Sequence, residues 1–229
     1  MERLLKSLVS PVADAAAETR IRAIRGVYDI ISDVYPISSR LFHRLAHATA
    51  IEMSKMEDGM RILEVATGSG ELYRQLTLNN PQGLTFGVDL SPRMAQKTQK
   101  GIRSIAKQAR SYCHAADVRN LPFRSSSFDR VFLCALLELL PDGAMADALC
   151  EVRRVLKPDG RMVLVCISQR DPRFNTLYAA GAALVPSFLG RLVERSVYEL
   201  VPKLGFEILA QRNVRQLWYP STVIVLRKV

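Results

Sequence analysis

The chain reads as an α/β domain, a mostly parallel seven-stranded sheet with helices on both faces and a helical segment in front of it. Three observations predict this. From Arg61 onward short apolar runs alternate with helix-like stretches, placing strands near 61–65, 84–88, 111–115, 130–135 and 161–167. The first run feeds a loop of small residues, Ala66-Thr67-Gly68-Ser69-Gly70, that opens a helix. The last two strands, Phe206 to Arg212 and Ser221 to Arg227, are joined through a turn around Trp218-Tyr219-Pro220 and close the sheet as a hairpin.

At 229 residues the chain fits one domain with a full core, and 48% hydrophobic residues argue against long disorder. Cys113, Cys134, Cys150 and Cys166 are far apart in apolar contexts, so they read as reduced core residues of a cytosolic protein. The N-terminus lacks a signal peptide pattern, because Lys6 breaks its apolar run. Repeats, low-complexity segments and a linker to a second domain are not evident.

Residues 2–34 pattern as one or two amphipathic helices broken near Pro11, with Leu4, Leu5, Leu8, Val9 and Val12 followed by Ile21, Ile24, Val27, Tyr28 and Ile31. A helix from Leu41 to Lys55 carries His43 and His47 four apart, a one-face metal spacing. The residues between them supply no glutamate and no third ligand is evident, so no metal is expected.

Glu64 decides what the glycine loop holds. A dinucleotide puts pyrophosphate against such a turn, where a carboxylate at the strand end would repel it. The dinucleotide fingerprint also needs a third glycine for close helix packing, and Tyr73 stands there. A ligand with a cationic amino acid tail, a sulfonium centre and no phosphate reverses the argument, and S-adenosylmethionine is such a ligand. Asp89, ending the run Leu84-Thr85-Phe86-Gly87-Val88, then accepts hydrogen bonds from the ribose hydroxyls. Singly, each acid reads equally as a surface carboxylate; at two strand ends together they mark one site.

At these residues the chain resembles the class I S-adenosylmethionine-dependent methyltransferases, in particular the ubiquinone/menaquinone C-methyltransferase-like and phospholipid N-methyltransferase-like group. Val88-Asp89-Leu90-Ser91-Pro92-Arg93-Met94 looks like its second motif and Ala116-Asp117-Val118-Arg119-Asn120-Leu121-Pro122-Phe123 like its third, in which the Asp117 position meets the adenine amino group. Ser127 to Val131 resembles the start of the fourth strand and Val155 to Arg161 the turn into the fifth, so the motifs cover residues 61–167. The resemblance implies a Rossmann-like fold with an antiparallel last strand, a helical cap over 1–60, a core over 61–229 and an acceptor-side insertion at about 170–200. It implies a cofactor site drawn from Glu64, Ala66, Thr67, Gly68, Ser69, Gly70, Asp89, Leu90, Met94, Asp117, Val118 and Cys134. Tyr28, in a Tyr-Asp pair like the family's, is the candidate on the acceptor side; a core aromatic is the plain alternative. Two departures stand out: Ala66 replaces the usual first glycine, as the quinone-methylating branch tolerates, and Leu137-Glu138-Leu139 stands where many relatives carry histidine. His114 reads as a packing residue rather than a base.

The net charge of +10 is uneven: residues 1–60 carry eight basic and eight acidic side chains, 61–130 eleven and five, and 131–229 thirteen and nine. Arg93, Lys97, Lys100, Arg103, Lys107 and Arg110 share one predicted helix face, opposite Met94, Ile102, Ile105, Ala106 and Ala109. That face is either simply solvated or meets an anionic partner; membrane lipid fits, and nucleic acid is possible but brings no recognised motif and no aromatic interleaving. Between Arg173 and Arg191 no residue is charged, yet Gly181 and Pro186 and the short length argue against a membrane span. An apolar lid over an amphiphile or a groove-filling helix explains it.

These readings converge on an enzyme acting on a lipophilic acceptor, with phosphatidylethanolamine N-methylation favoured and C-methylation of a quinone precursor the alternative. A small hydrophobic natural product, or a non-catalytic cofactor-binding protein that recruits a partner, are the further readings. The expected location is cytoplasmic, with room for peripheral contact at the inner face of a membrane. A base is needed only where the acceptor must lose a proton, so the lack of an obvious one leans toward amines.

Overall fold

The computed structural model describes residues 11–31, 35–184 and 189–229. Leu4, Leu5, Leu8 and Val9, and residues 185–188 of the uncharged segment, lie outside them. In chain order the elements are α1 (Pro11–Ile31), α2 (Tyr35–Ser54), β1 (Arg61–Val65), α3 (Glu71–Leu78), β2 (Leu84–Asp89), α4 (Pro92–Ile105), β3 (Ser111–Ala115), a 3-10 turn (Val118–Asn120), β4 (Phe128–Cys134), α5 (Asp142–Val155), β5 (Leu156–Ile167), α6 (Pro172–Leu184), α7 (Glu194–Lys203), β6 (Phe206–Gln216) and β7 (Tyr219–Lys228).

One seven-stranded sheet runs in the order β3-β2-β1-β4-β5-β7-β6. Strands β1 to β5 are parallel, and β7 runs antiparallel between β5 and β6. The strand order reverses between β1 and β4, which places a crevice at their C-terminal ends. Alternation along the strands builds two cores. Ile62, Phe132, Val163 and Val223 pack with Ala46 of α2 and Leu72 and Leu76 of α3. Leu63, Val131, Leu164 and Ile224 pack with Leu149 and Val152 of α5 and Val197 of α7. Within the segment expected to cap the site, α2 therefore covers the sheet, and Arg130 of β4 ties down its end by donating to the carbonyls of Ser54 and Lys55 at 2.8 and 2.9 Å.

Four expectations change. Helix α4 ends at Ile105, so Lys107 and Arg110 fall in the following turn and the basic face is shorter than the spacing predicts; Ile105 itself is exposed. Strand β5 begins at Leu156 because Leu156 pairs with Phe128 while Arg161 pairs with Arg130, leaving residues 157–160 as a bulge. Gly160 permits it, since a Cβ there would lie 2.4 Å from Leu156 Cδ2. The hairpin turn is Leu217-Trp218 alone, with Leu217 at φ 55°, and β6 continues to Gln216 because an edge strand tolerates the polar run Asn213 to Gln216. His114, expected to pack, is exposed on the edge strand β3.

Candidate active site

Strand β1 delivers the chain into the glycine loop, where Ala66, Gly68 and Gly70 take φ values of 60°, 50° and 75°. Three left-handed residues in five fold the loop back over the strand ends, and Thr67 N–H bonds Val88 C=O at 3.2 Å. A Cβ on Gly70 would lie 2.8 Å from Thr98 Oγ1, so the loop is packed against α4. Ala66 and, after β4, Ala135 at φ 50° are non-glycine residues held in this region, and both line the cleft beside the loop.

Asp89 fixes the loop from the neighbouring strand. Its Oδ2 accepts from Gly68 N–H at 2.7 Å and its Oδ1 from Ser91 N–H at 2.9 Å. Ser91 Oγ caps α4 by accepting from Met94 N–H at 3.0 Å, and donates to Asp29 of α1 in a very short hydrogen bond. Burial pushes the Asp89 carboxyl up to about 6, against the pull of the two amides, and nearby Asp29 adds to the rise. Glu64 is 2% exposed and its Oε2 has no hydrogen-bond partner among the described residues. Burial first, then the charge of Asp89, raises it well above the usual carboxylate range. A buried carboxylate oxygen left bare beside a second acid fits a cationic or hydrogen-bond-donating ligand and disfavours phosphate.

Tyr73 of α3 packs its ring against β2. Its ring is fully buried, its hydroxyl donates to Thr85 C=O at 3.1 Å, and Gly87 makes the room, since a Cβ there would lie 2.8 Å from Tyr73 Cε2.

At the far side of the cleft Asp117 follows β3. Arg119 grips its carboxylate through Nη2 at 2.6 Å and Nε at 3.1 Å, and reaches Glu18 of α1 at 2.5 Å. Burial works to raise the Asp117 carboxyl, and the hydrogen bonds and charge of Arg119 outweigh it, leaving it below its ordinary value. The Arg119–Glu18 and Ser91–Asp29 contacts clamp α1 across the cleft. Of the residues the sequence singles out, Tyr28, Ala66, Gly68, Asp89, Leu90, Asp117, Val118 and Cys134 line this one cleft. Glu64, Thr67, Ser69, Gly70 and Met94 do not line it: Glu64 and Thr67 are buried, and Met94 is a fully buried residue of the first turn of α4.

A second cavity of about 480 Å³ adjoins the cleft and shares Tyr28, Ala135 and Leu139 with it. Phe42 and His43 of α2, Leu177 and Tyr178 of α6, Trp218 and Tyr219 of the hairpin, and Glu138 line it. The rings pack mutually, His43 edge-on to Tyr219 with centroids 5.0 Å apart and Phe42 5.8 Å from Tyr219. His43 and His47 stack at 6.0 Å, and burial lowers them to about 4 and 3, so both are neutral imidazoles. Among the described residues no group of three or more metal-ligating side chains forms. The sequence showed Glu138 only as a departure from a family pattern; that its carboxyl is buried in this cavity depends on α2, α6 and the hairpin meeting, which no local pattern reveals.

A methyltransferase-domain family model matches residues 62–160. The ubiquinone/menaquinone biosynthesis C-methyltransferase UbiE of Geotalea uraniireducens (strain Rf4) is 28% identical over 201 residues, covering 85% of either chain. The chain is an S-adenosylmethionine-dependent methyltransferase. Solved structures agree on the fold of this methyltransferase. An S-adenosylmethionine-dependent methyltransferase from Aquifex aeolicus superposes with TM-score 0.65 at 16% identity over 89% of this chain and 98% of its own. The Burkholderia thailandensis 1,6-didemethyltoxoflavin-N1-methyltransferase, solved with S-adenosylhomocysteine, does so with TM-score 0.69 at 17% identity over 97% and 92%. The bare Glu64 oxygen and the glycine cradle fit the methyltransferase cofactor, which when bound supplies an electrophilic methyl group.

Proposed function

We propose that this methyltransferase methylates a ring carbon of a lipophilic aromatic acceptor of the reduced-quinone type, held in the aromatic cavity beside the cofactor cleft. The observation that carries the reading is that cavity: flat aromatic walls, no lysine or arginine lining it among the described residues, and continuity with the cleft through Tyr28, Ala135 and Leu139. The relatives named for quinone C-methylation support it. Within this reading Glu64 faces the cationic tail of the cofactor through the loop Ala66 to Gly70, Asp89 takes the ribose hydroxyls, and Asp117 with Leu90, Val118 and Cys134 surrounds the adenine. Met94 serves through the α4 cap rather than by touch, and Tyr28 stands between cofactor and acceptor.

A lipophilic tail has an exit. Leu177 and Trp218 line the cavity yet are 71% and 56% exposed, and neighbouring Leu184 and Leu217 are exposed as well. Contact with a membrane surface at this rim would be peripheral, since among the described residues no helix is long and apolar enough to cross a membrane. Phosphatidylethanolamine, which the sequence favours, loses its main support. The basic helix α4 packs on β2 and β3 at one edge of the sheet, whereas the cavity is built by α2, α6 and the hairpin toward the other.

The test incubates purified protein with methyl-labelled S-adenosylmethionine and, separately, a prenylated hydroquinone lacking one ring methyl and phosphatidylethanolamine vesicles. Label at a ring carbon, located by mass spectrometry and NMR, is expected. Label on the lipid nitrogen overturns the reading, and equal turnover of a tailless aromatic overturns its lipophilic part.

A further inference from the structure

We propose that Glu138 is the general base of this methyltransferase, taking the proton of a ring hydroxyl on the acceptor. The inference rests on the proposed ring methylation and adds the residue that makes the ring nucleophilic.

The geometry singles out this carboxyl. Glu138 follows β4 next to Ala135, lines the acceptor cavity and is 2% exposed. Its Oε1 accepts from Ile167 N–H at 2.9 Å, which anchors one side of the carboxylate to β5. Its Oε2 has no partner among the described residues. Its backbone is equally fixed: Arg191 N–H donates to its carbonyl at 2.7 Å, and Gly190 lies so close that a Cβ would meet that carbonyl oxygen at 2.6 Å. A carboxylate with one anchored and one bare oxygen, buried at the wall of an aromatic cavity, is built to bind a donor. An aromatic acceptor brings one such donor, its hydroxyl.

The groups facing it leave it the best base. Cys134 on β4 and Cys166 on β5 flank it, and burial holds both thiols well above their usual range. Tyr28, His43, Tyr178 and Tyr219 look on from α1, α2, α6 and β7, and the guanidinium of Arg191 is turned away to Leu140 C=O and Asp142. His43 is the rival, yet burial lowers it to about 4, too weak to hold a proton near neutrality. Burial pushes Glu138 up to about 7, offset in part by its own amide and that of Ile167. A base matched to the working pH is the efficient one.

The step balances. The acceptor O–H bond breaks, its electron pair stays on oxygen and spreads to the ortho carbon, and the proton bonds to Glu138 Oε2. The ortho carbon bonds the methyl as the sulfonium–methyl bond breaks, that bond's electron pair staying on sulfur and leaving a neutral thioether, and the carbon's hydrogen then leaves as a proton as the ring regains aromaticity. Glu138 returns its proton to the ring oxygen, so one proton is released to solvent per methyl transferred.

The test compares wild type, Glu138→Gln and Glu138→Asp with the prenylated hydroquinone. Wild-type kcat should fall below about pH 7 with unit slope. Glu138→Gln, which keeps the Ile167 hydrogen bond, should lose kcat on the order of 10²- to 10⁴-fold with KM changed only a few-fold, and lose the acid limb; Glu138→Asp should recover part of the rate. In cofactor-free protein, an infrared carboxyl band titrating near neutrality should be absent from Glu138→Gln, a readout that needs no turnover. Ring methylation by Glu138→Gln at the wild-type rate, or an acid limb that disappears in His43→Phe instead, overturns the assignment while the ring-methylation reading stands. Label on nitrogen in wild type overturns both.

Discussion

Replacing Glu138 with glutamine should stabilise the protein most at alkaline pH and progressively less as the pH falls. The carboxyl is 2% exposed, and burial raises its pKa from 4.5 to about 7. A raised acid means that the folded chain binds the proton more tightly than the unfolded one. Stability is therefore lost as pH rises from the unfolded value to the folded one, and the loss is complete above about 7. At about 1.4 kcal/mol per unit, ionised Glu138 costs about 3 kcal/mol at about pH 8 and about 1 kcal/mol at about pH 5. Glutamine removes this titration while its side-chain oxygen still accepts from Ile167 N–H. For a chain of this size the alkaline difference corresponds to a rise in Tm of roughly 6–12 °C. Asp89, also raised, titrates in both proteins and cancels in the comparison. The assay is thermal unfolding of both proteins across the pH range in the absence of ligand. An equal Tm difference at both pH values, or a less stable glutamine variant at about pH 8, would refute a buried, titrating Glu138.

Other consequences are direct. Asp89→Ala strands the amides of Gly68 and Ser91 and removes the proposed ribose acceptor, so S-adenosylmethionine should bind about 1–3 kcal/mol more weakly by calorimetry; unchanged affinity removes Asp89 from the site. Gly87→Ala pushes a methyl to within 2.7 Å of Thr67 Cγ2 and 2.8 Å of Tyr73 Cε2 in the core, and urea unfolding should show a loss of about 1–3 kcal/mol. Arg119→Ala unclamps α1 from Asp117, so amide exchange should quicken along Pro11–Ile31 with little change in global stability, the ion pairs being partly exposed. Unaltered exchange there would show that the clamp holds nothing.

The parallel sheet was legible because β1, β2 and β4 carry short apolar runs, with β3 read from its place in the alternation, and Glu64, Asp89 and Asp117 stand at or just beyond strand ends where chemistry collects. Local pattern failed where geometry is set by neighbours. Leu156 joins β5 early only because residues 157–160 bulge away from β4. Lys107 and Arg110 keep helical spacing in sequence, yet α4 stops at Ile105 and the chain turns toward β3. The aromatic cavity was the least legible part. Phe42, Tyr178 and Trp218 come from segments far apart in the chain, and nothing near Glu138 in sequence announces that its carboxyl ends in an apolar chamber.

The most direct measurement is calorimetric titration of S-adenosylmethionine and of NAD into wild type and Glu64→Gln. A site organised around a bare buried carboxylate should bind S-adenosylmethionine, ignore NAD, and lose affinity for the cationic cofactor when Glu64 becomes neutral. Binding of NAD alone, or an indifferent Glu64→Gln, would contradict a cleft built for a phosphate-free cation.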